Sequence, residues 1–176
     1  MRNQRSGVIV NISSLAGYVG FPASSVYNST KFALEGLSES LAYEIEPYGI
    51  SMVLIEPGVI NTDFVKNIMI PGNTESISSY LLSSSSPPST TSPNSNIHSD
   101  NSESDREITE YAGVVERFLS HYYPAMRNAP SPKEVAKVVL ESINDSVIST
   151  KQGANNNLFR YPVGDDAKFY ADVKGK

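Results

Sequence analysis

The sequence contains no cysteine and only two histidines, His98 and His121, among its 176 residues. Without cysteine the chain can form neither a disulfide framework nor a thiolate metal site, and this composition fits a reducing cytoplasm. The two histidines stand far apart in different sequence contexts, which argues against a histidine-based zinc site. We therefore predict that the protein has no metal centre.

An excess of positive charge is also missing, because 14 basic residues stand against 19 acidic ones and the net charge is −5. Nucleic-acid binding and attachment to anionic membranes both depend on clustered basic residues, and here they are scattered. No apolar run approaches the length of a membrane span, and the polar N-terminus lacks the apolar core of a signal peptide. We expect a cytoplasmic protein with no nucleic-acid partner and no stable membrane anchor.

Glycine-rich phosphate-binding turns are the third absence. None of the eleven glycines forms a Gly-x-Gly-x-x-Gly or Gly-x-x-x-Gly-x-Gly pattern after a predicted strand. Such a turn brings the pyrophosphate of a dinucleotide to a helix N-terminus. Gly17 and Gly20 follow a strand, but they belong to the loop that leads into the next helix.

The first third of the sequence has the pattern of a strand, a long helix and a second strand. Residues 7–12 and 50–55 are runs of mainly apolar and β-branched residues, which are typical of strands buried on both faces of a parallel sheet. Between them, apolar residues recur every three or four positions from residue 24 or 25 to about 46, and Pro47 and Gly49 end this predicted helix. The three elements form one βαβ unit.

The composition changes after residue 70. Residues 71–107 are rich in Ser, Pro, Asn and Thr, and they offer too little apolar surface to offset the entropy lost on ordering, so we predict disorder there. Helical periodicity returns at about 108–122 and again from Pro132, and residues 158–164 could form an edge strand because they include Pro162. We predict an α/β fold in three parts: residues 1–70 with the βαβ unit, the 71–107 insertion, and residues 108–176 with helices and a closing strand.

Ser14, Tyr27 and Lys31 together could carry chemistry. Ser14 follows the first strand, at the edge of an open α/β sheet where ligands bind. Tyr27 and Lys31 are four residues apart on the predicted helix and so share one face. A free tyrosine has a pKa of about 10, and a nearby ammonium lowers this value by favouring the phenolate. Lowering the pKa by about three units takes about 4 kcal/mol, which one close cation and an oxidised cofactor ring could supply.

Each of these residues also has an ordinary structural interpretation. A single tyrosine on a helix is usually half-buried packing, a single lysine usually faces solvent, and a serine after a strand often forms a turn. The chain holds ten tyrosines and many serines, so the spacing could arise by chance.

Three motifs within residues 7–63 resemble the short-chain dehydrogenase/reductase family. Residues 7–14, Gly-Val-Ile-Val-Asn-Ile-Ser-Ser, resemble the strand that ends in the family's active-site serine. The run Val-Tyr-Asn-Ser-Thr-Lys at 26–31 is similar to its Tyr-x-x-x-Lys motif, with Ser14 thirteen residues before Tyr27. The run Glu-Pro-Gly-Val-Ile-Asn-Thr at 56–62 resembles the Pro-Gly segment that lies against the nicotinamide. The three motifs match in order, spacing and predicted secondary structure.

This resemblance implies a partial Rossmann-like, doubly wound parallel sheet and a nicotinamide-dependent oxidoreductase that interconverts alcohols and carbonyls. It implies that Tyr27 is the general acid/base, that Lys31 lowers its pKa and binds the nicotinamide ribose, and that Ser14 binds the substrate oxygen. It also implies NAD or NADP as cofactor, without a preference, and further cofactor contacts from Pro57, Gly58, Ile60 and Thr62.

A weaker resemblance, at residues 131–140 and 160–167, is to family members that act on steroids, retinoids and other bulky alcohols. The 62–130 segment stands where the family has its substrate-binding loop and helices, but its Ser-rich centre does not resemble a usual one. We expect a small-molecule alcohol or carbonyl substrate, and its class stays open.

The sequence looks like the C-terminal portion of such an enzyme, without the glycine-rich half that would hold most of the cofactor. We expect little activity from this chain alone. A truncated gene model or gene fragment, one piece of a split protein, and a degenerate module would each account for it. The alternative function is a non-catalytic interaction module that pairs through the 25–46 helix, a helix that could also form a homo-oligomer.

Overall fold

The computed structural model describes residues 1–64, 103–151 and 158–175. Most of the predicted 71–107 insertion lies outside the described residues. The chain divides into two compact units, one of Met1–Thr62 with Arg117–Lys176 and the other of Asp63–Glu116. The first unit contains the sheet and every candidate site residue. The described part of the second unit is mainly the beginning of one helix.

The first unit is built on a parallel sheet of three strands in the order β1 (Gly7–Ile12), β2 (Ile50–Pro57) and β3 (Leu158–Val163). In the register, Val10 lies opposite Val53 and Leu54 lies opposite Arg160. The predicted parallel pairing of β1 and β2 is confirmed. Within the described residues β3 lies at an edge, as Pro162 predicted.

The central strand β2 is the most deeply buried element. Met52, Val53, Leu54 and Ile55 have no exposed surface. A strand buried on both faces carries apolar side chains at successive positions instead of every second one, which is the pattern that the sequence shows. The interior of the unit therefore centres on β2.

Helices cover both faces of this sheet. The helix α1 (Ser25–Ile45) packs Ala42 and Ile45 against Met52 on one face. On the other face, valines of the later helix α3 (Pro132–Lys151) pack against Val53 and Ile55. This arrangement is the predicted α/β architecture of a doubly wound sheet.

α1 ends as its sequence predicts. A 3-10 turn follows at Glu46–Tyr48 and includes Pro47, which cannot continue the helix. Gly49 then adopts a left-handed conformation with φ of 64°, a conformation that glycine adopts without steric cost. The chain can therefore turn directly into β2.

The later helices differ from the prediction in length and number. α2 (Glu103–Arg127) begins before residue 108, because polar residues with good helix propensity extend it without adding to the apolar period. α3 begins at Pro132 as predicted and continues to Lys151. The helix α4 (Asp165–Lys174) was not predicted, since it buries only two small side chains, Ala167 and Ala171. Among the helices of the described residues, none has both the length and the apolar character needed to cross a bilayer.

Candidate active site

Ser14 lies just after the end of β1 and is hydrogen-bonded to the end of the neighbouring strand β2. It directly follows Ser13, whose amide donates to the Ile55 carbonyl oxygen at 2.7 Å. The Ser14 hydroxyl accepts a hydrogen bond from the Ala16 amide at 3.1 Å and donates to the carbonyl oxygen of Pro57 at 3.4 Å. The structure therefore brings together two candidate site residues, Ser14 and Pro57, at the carboxyl edge of the sheet.

Tyr27 and Lys31 lie half-buried near the start of α1, on the face turned towards the end of β1. The Lys31 ammonium donates to the carbonyl oxygen of Ile12 at 2.9 Å and lies 5.7 Å from the centre of the Tyr27 ring. Burial lowers the pKa of Lys31, and the negative charge of Glu35 partly opposes that shift. A cation is thus held between the phenol ring and the strand that leads to Ser14.

The segment that contains Pro57, Gly58, Ile60 and Thr62 leaves β2 and is fixed by backbone hydrogen bonds. The Gly58 amide donates to the Val163 carbonyl oxygen at 2.9 Å, and the Asn61 amide donates to the Pro130 carbonyl oxygen at 3.0 Å. The four candidate residues are half-buried. A cavity of about 250 Å³ opens beside this segment, between Val59, Ala125 and Pro130.

Asn28, next to Tyr27, anchors the loop between β1 and α1. Its side-chain amide donates to the carbonyl oxygens of Ala16, at 2.9 Å, and Val19, at 2.6 Å, and its oxygen accepts from the Phe21 amide at 3.3 Å. Asn28 was not predicted as a site residue from the sequence. The sequence shows an asparagine in the first turn of the predicted helix but not that it is buried, and a buried amide side chain has to find partners in the neighbouring backbone.

A buried cluster of charges lies beneath the site and was also missed. The Arg160 guanidinium of β3 forms ion pairs with Glu35 and Glu39 of α1, and with Glu56 of β2 at 2.5 Å. The side chains of Glu35 and Glu56 are only 4% and 1% exposed. Burial alone would lower the pKa of Arg160, but its hydrogen bonds to Glu35 and Glu56 raise that pKa above its usual value.

Two members of this cluster stand close in the sequence to candidate site residues. Glu35 lies one helical turn after Lys31, and Glu56 immediately precedes Pro57. The only local signal in the sequence was a glutamate at the end of an otherwise apolar strand.

Tyr122 of α2 belongs to the surroundings of Tyr27. Burial raises the pKa of Tyr122, and the charges of Tyr27 and Asp166 raise it further. Tyr122 also stacks at a tilt on Phe118, with 5.4 Å between the ring centres. Tyr122 therefore lies close enough to Tyr27 for the two phenols to interact electrostatically.

Carboxylates and histidines do not gather into a metal-binding group of three or more anywhere in the described ranges of the chain. The charged groups near Ser14, Tyr27 and Lys31 pair with one another and with backbone atoms. The site places a phenol, an ammonium and a hydroxyl around the carboxyl end of β1.

Known proteins resemble this chain over its first third and, more weakly, over most of its length. Residues 1–71 match the family model described as short chain dehydrogenase. The uncharacterised oxidoreductase YusZ of Bacillus subtilis is 31% identical over 96% of this chain and 47% of its own length. A 3-ketodihydrosphingosine reductase of Bacteroides thetaiotaomicron is 48% identical over 38% of this chain and 25% of its own length.

Solved structures show the same fold. The crystal structure of a short-chain dehydrogenase from Streptomyces avermitilis superposes with a TM-score of 0.58 at 24% identity, covering 99% of this chain and 48% of that one. The chain spans about half the length of the curated relatives that it matches over most of its own length. It belongs, through residues 1–71, to the short-chain dehydrogenase family of oxidoreductases.

Proposed function

We propose that the protein acts in the interconversion of an alcohol and a carbonyl compound, with Tyr27, Lys31 and Ser14 as catalytic residues. One observation supports this most strongly. The Lys31 ammonium donates to the carbonyl oxygen of Ile12, the last residue of β1, and lies 5.7 Å from the centre of the Tyr27 ring. Ser14 follows Ile12 by two residues. A cation near a phenol favours the phenolate, which is the form that can accept a proton from an alcohol.

The roles follow from the groups themselves. Tyr27 exchanges a proton with the substrate oxygen as a general acid/base, and Lys31 stabilises its phenolate. The Ser14 hydroxyl, now directed to the Pro57 carbonyl oxygen over a long 3.4 Å, is available to hydrogen-bond the substrate oxygen instead. Short-chain dehydrogenases use nicotinamide cofactors in general, and such a cofactor, held by Lys31 and the segment after Pro57, would supply the hydride-transfer chemistry.

The residues present fit the nicotinamide end of such a cofactor. Lys31 can donate to ribose hydroxyls while it remains close to Tyr27. The half-buried segment with Pro57, Gly58, Ile60 and Thr62 would lie against the nicotinamide ring, and Thr62 would present its hydroxyl to the carboxamide group. The sequence has no glycine-rich turn for the pyrophosphate, so we expect the chain by itself to bind NAD or NADP weakly and to turn over little.

A truncated ligand tests the proposed site within this chain. Nicotinamide mononucleotide needs only the residues named above, so its titration should shift the backbone amide NMR signals of Lys31 and of residues 58–62. Lys31→Met should weaken this binding, whereas Tyr43→Phe, at an exposed position on the same helix, should leave it unchanged. Shifts confined to other parts of the chain, or no binding at millimolar concentrations, would contradict the proposed site.

Turnover tests the proposed chemistry. With reduced or oxidised cofactor and a panel of ketones and alcohols, Tyr27→Phe should abolish whatever hydride transfer the wild-type chain supports, and Tyr43→Phe should not. Full activity in the Tyr27→Phe variant would exclude Tyr27 as the acid/base.

Isothermal titration of the chain with NADH and NADPH tests the expected weak cofactor binding. Micromolar affinity would contradict this expectation.

An interaction module is the second candidate, because α1 exposes apolar side chains. Val26, Phe32, Leu37 and Tyr43 are 76, 48, 56 and 78% exposed. Exposed apolar side chains on one helix are typical of an interface with another subunit. Leu37→Glu should dissociate a homo-oligomer in analytical ultracentrifugation, whereas Tyr27→Phe should leave association unchanged. A monomeric wild-type chain would contradict pairing of two copies through α1.

A further inference from the structure

Asp166 connects the last described helix to the segment that leaves the central strand. Its Oδ2 accepts a hydrogen bond from the Val59 amide at 2.8 Å, and its Oδ1 accepts one from the Ala167 amide at 2.9 Å. Asp166 is the second residue of α4, where the positive end of the helix dipole favours a carboxylate. Both carboxylate oxygens are therefore occupied by backbone donors on two different elements.

The same carboxylate fills the space next to Gly58. A Cβ atom added at Gly58 would lie 2.0 Å from Asp166 Oδ1, far inside van der Waals contact. The φ angle of Gly58 lies outside the left-handed region, so its backbone conformation is open to other residues. Glycine is needed at position 58 because of Asp166 and not because of the turn itself.

The segment is thus fixed by two adjacent bonds to the C-terminal part of the chain. The Gly58 amide donates to Val163 of β3, and the Val59 amide donates to Asp166 of α4. Each bond sets the position of one peptide unit, and together they leave the start of this segment little freedom to rotate.

We propose that Asp166 is a positioning residue for the proposed nicotinamide site: it holds the backbone after Pro57 where the cofactor ring would rest, and it requires glycine at position 58. The inference rests on the proposed function in one respect, since the segment is assigned to the cofactor there. Asp166 acts through Gly58 and Val59 and does not itself take part in the reaction.

A double-mutant cycle tests the geometry. The variants are Gly58→Ala, Asp166→Ala and the combination of both, with Asp165→Asn as a control at the exposed neighbouring position. Loss of the charge-assisted bond in Asp166→Ala should speed hydrogen exchange at the Val59 amide by about tenfold or more. Gly58→Ala should lower the melting temperature much more in the wild-type background than in the Asp166→Ala background, because the clash is then gone.

Ligand affinity separates positioning from simple stabilisation. At temperatures well below melting, Gly58→Ala and Asp166→Ala should each weaken nicotinamide mononucleotide binding by about tenfold, an order expected for a displaced hydrogen-bonding backbone. The double variant should bind no more weakly than the worse single variant. If Asp166→Ala does not fold, Asp166→Asn replaces it, because its amide group can keep only one of the two acceptor contacts.

Each result is decisive. Additive losses in the cycle, or a Val59 amide that exchanges at the wild-type rate in Asp166→Ala, would overturn the inference. A lowered melting temperature with unchanged mononucleotide affinity would also overturn it, because Asp166 would then be merely structural. A wild-type chain that binds no mononucleotide refutes the proposed function, and non-additivity with fast Val59 exchange would still establish that Asp166 positions the segment.

Discussion

The ammonium of Lys31 lies 2.9 Å from the carbonyl oxygen of Ile12, the last residue of β1. This hydrogen bond ties the helix that carries Tyr27 to the strand that leads to Ser14. The bond also explains why Lys31 remains close to the Tyr27 ring while its charge is partly removed from water. Lys31 is therefore both a proposed catalytic residue and one of the contacts that hold Tyr27 and Ser14 in position.

Lys31 should give the stability of the protein a distinctive dependence on pH. Burial lowers its pKa in the folded chain below the value of 10.5 for an exposed lysine. Between the two pKa values the unfolded chain binds more protons than the folded one, so the free energy of unfolding rises with pH in that window. Lys31→Met should remove this rise.

Thermal unfolding at a series of alkaline pH values measures the effect. Lys133→Met is the matched control, since Lys133 is an exposed lysine at the start of α3. Equal pH slopes for the wild type and Lys31→Met would show that Lys31 does not titrate abnormally.

Arg160 should contribute strongly to stability through its buried partners. Arg160→Met leaves Glu35 and Glu56 buried without their guanidinium, and breaking a buried ion pair in this way costs about 3–5 kcal/mol. Glu39→Gln removes only the exposed pair, since that side chain is 49% exposed, and should cost about 1 kcal/mol or less.

Urea unfolding of the two variants beside the wild type gives both values. The interpretation fails if Glu39→Gln destabilises the chain as much as Arg160→Met does. Replacement of the guanidinium by a neutral side chain should raise the urea sensitivity without changing the secondary structure of the folded state.

Substitution by alanine should destabilise the protein at Gly17 and stabilise it at Gly36. A Cβ atom at Gly17 would lie 2.8 Å from Cγ of Glu35 and 2.9 Å from Oγ of Ser13, so Gly17→Ala overfills a packed region and should cost about 1–3 kcal/mol. A Cβ atom at Gly36 would have no neighbour within 4 Å, and in an exposed helical position Gly36→Ala should stabilise by about 0.5–1 kcal/mol.

Melting temperatures of the two variants check this pair directly. A stable Gly17→Ala variant would mean that the Glu35 side chain can move aside, which its ion pair with Arg160 opposes.

The fold could be predicted where the sequence carries a local repeat. β1, α1 and β2 were predicted because buried parallel strands show unbroken apolar runs and α1 shows apolar residues at helical spacing. α4 was missed because the two side chains that it buries, Ala167 and Ala171, are small and produce no visible apolar stripe. A helix that buries few large apolar side chains has no clear apolar periodicity, so it is hard to predict from the sequence.

The candidate site also contains contacts that could be predicted from local spacing and contacts that could not. The proximity of Tyr27 and Lys31 could be predicted, because residues four apart lie on one face of a helix. The proximity of Ser14 and Pro57 could also be predicted, because both lie at the carboxyl ends of neighbouring parallel strands. Their catalytic roles stay predictions. The partners of Arg160 and Asp166 could not be predicted, because the bonds to Glu56 and Val59 join residues 104 and 107 positions apart. No local pattern records such a pairing.

The ion pair between Glu56 and Arg160 also constrains the order of folding. Glu56 stands at the end of the central strand and is buried, and Arg160 of β3, late in the chain, forms an ion pair with it. An uncompensated carboxylate in that position costs several kcal/mol, so the early βαβ segment gains its final packing only when β3 docks. We therefore expect the βαβ segment to complete its packing only after β3 has been synthesised, and contacts of such long sequence separation slow folding.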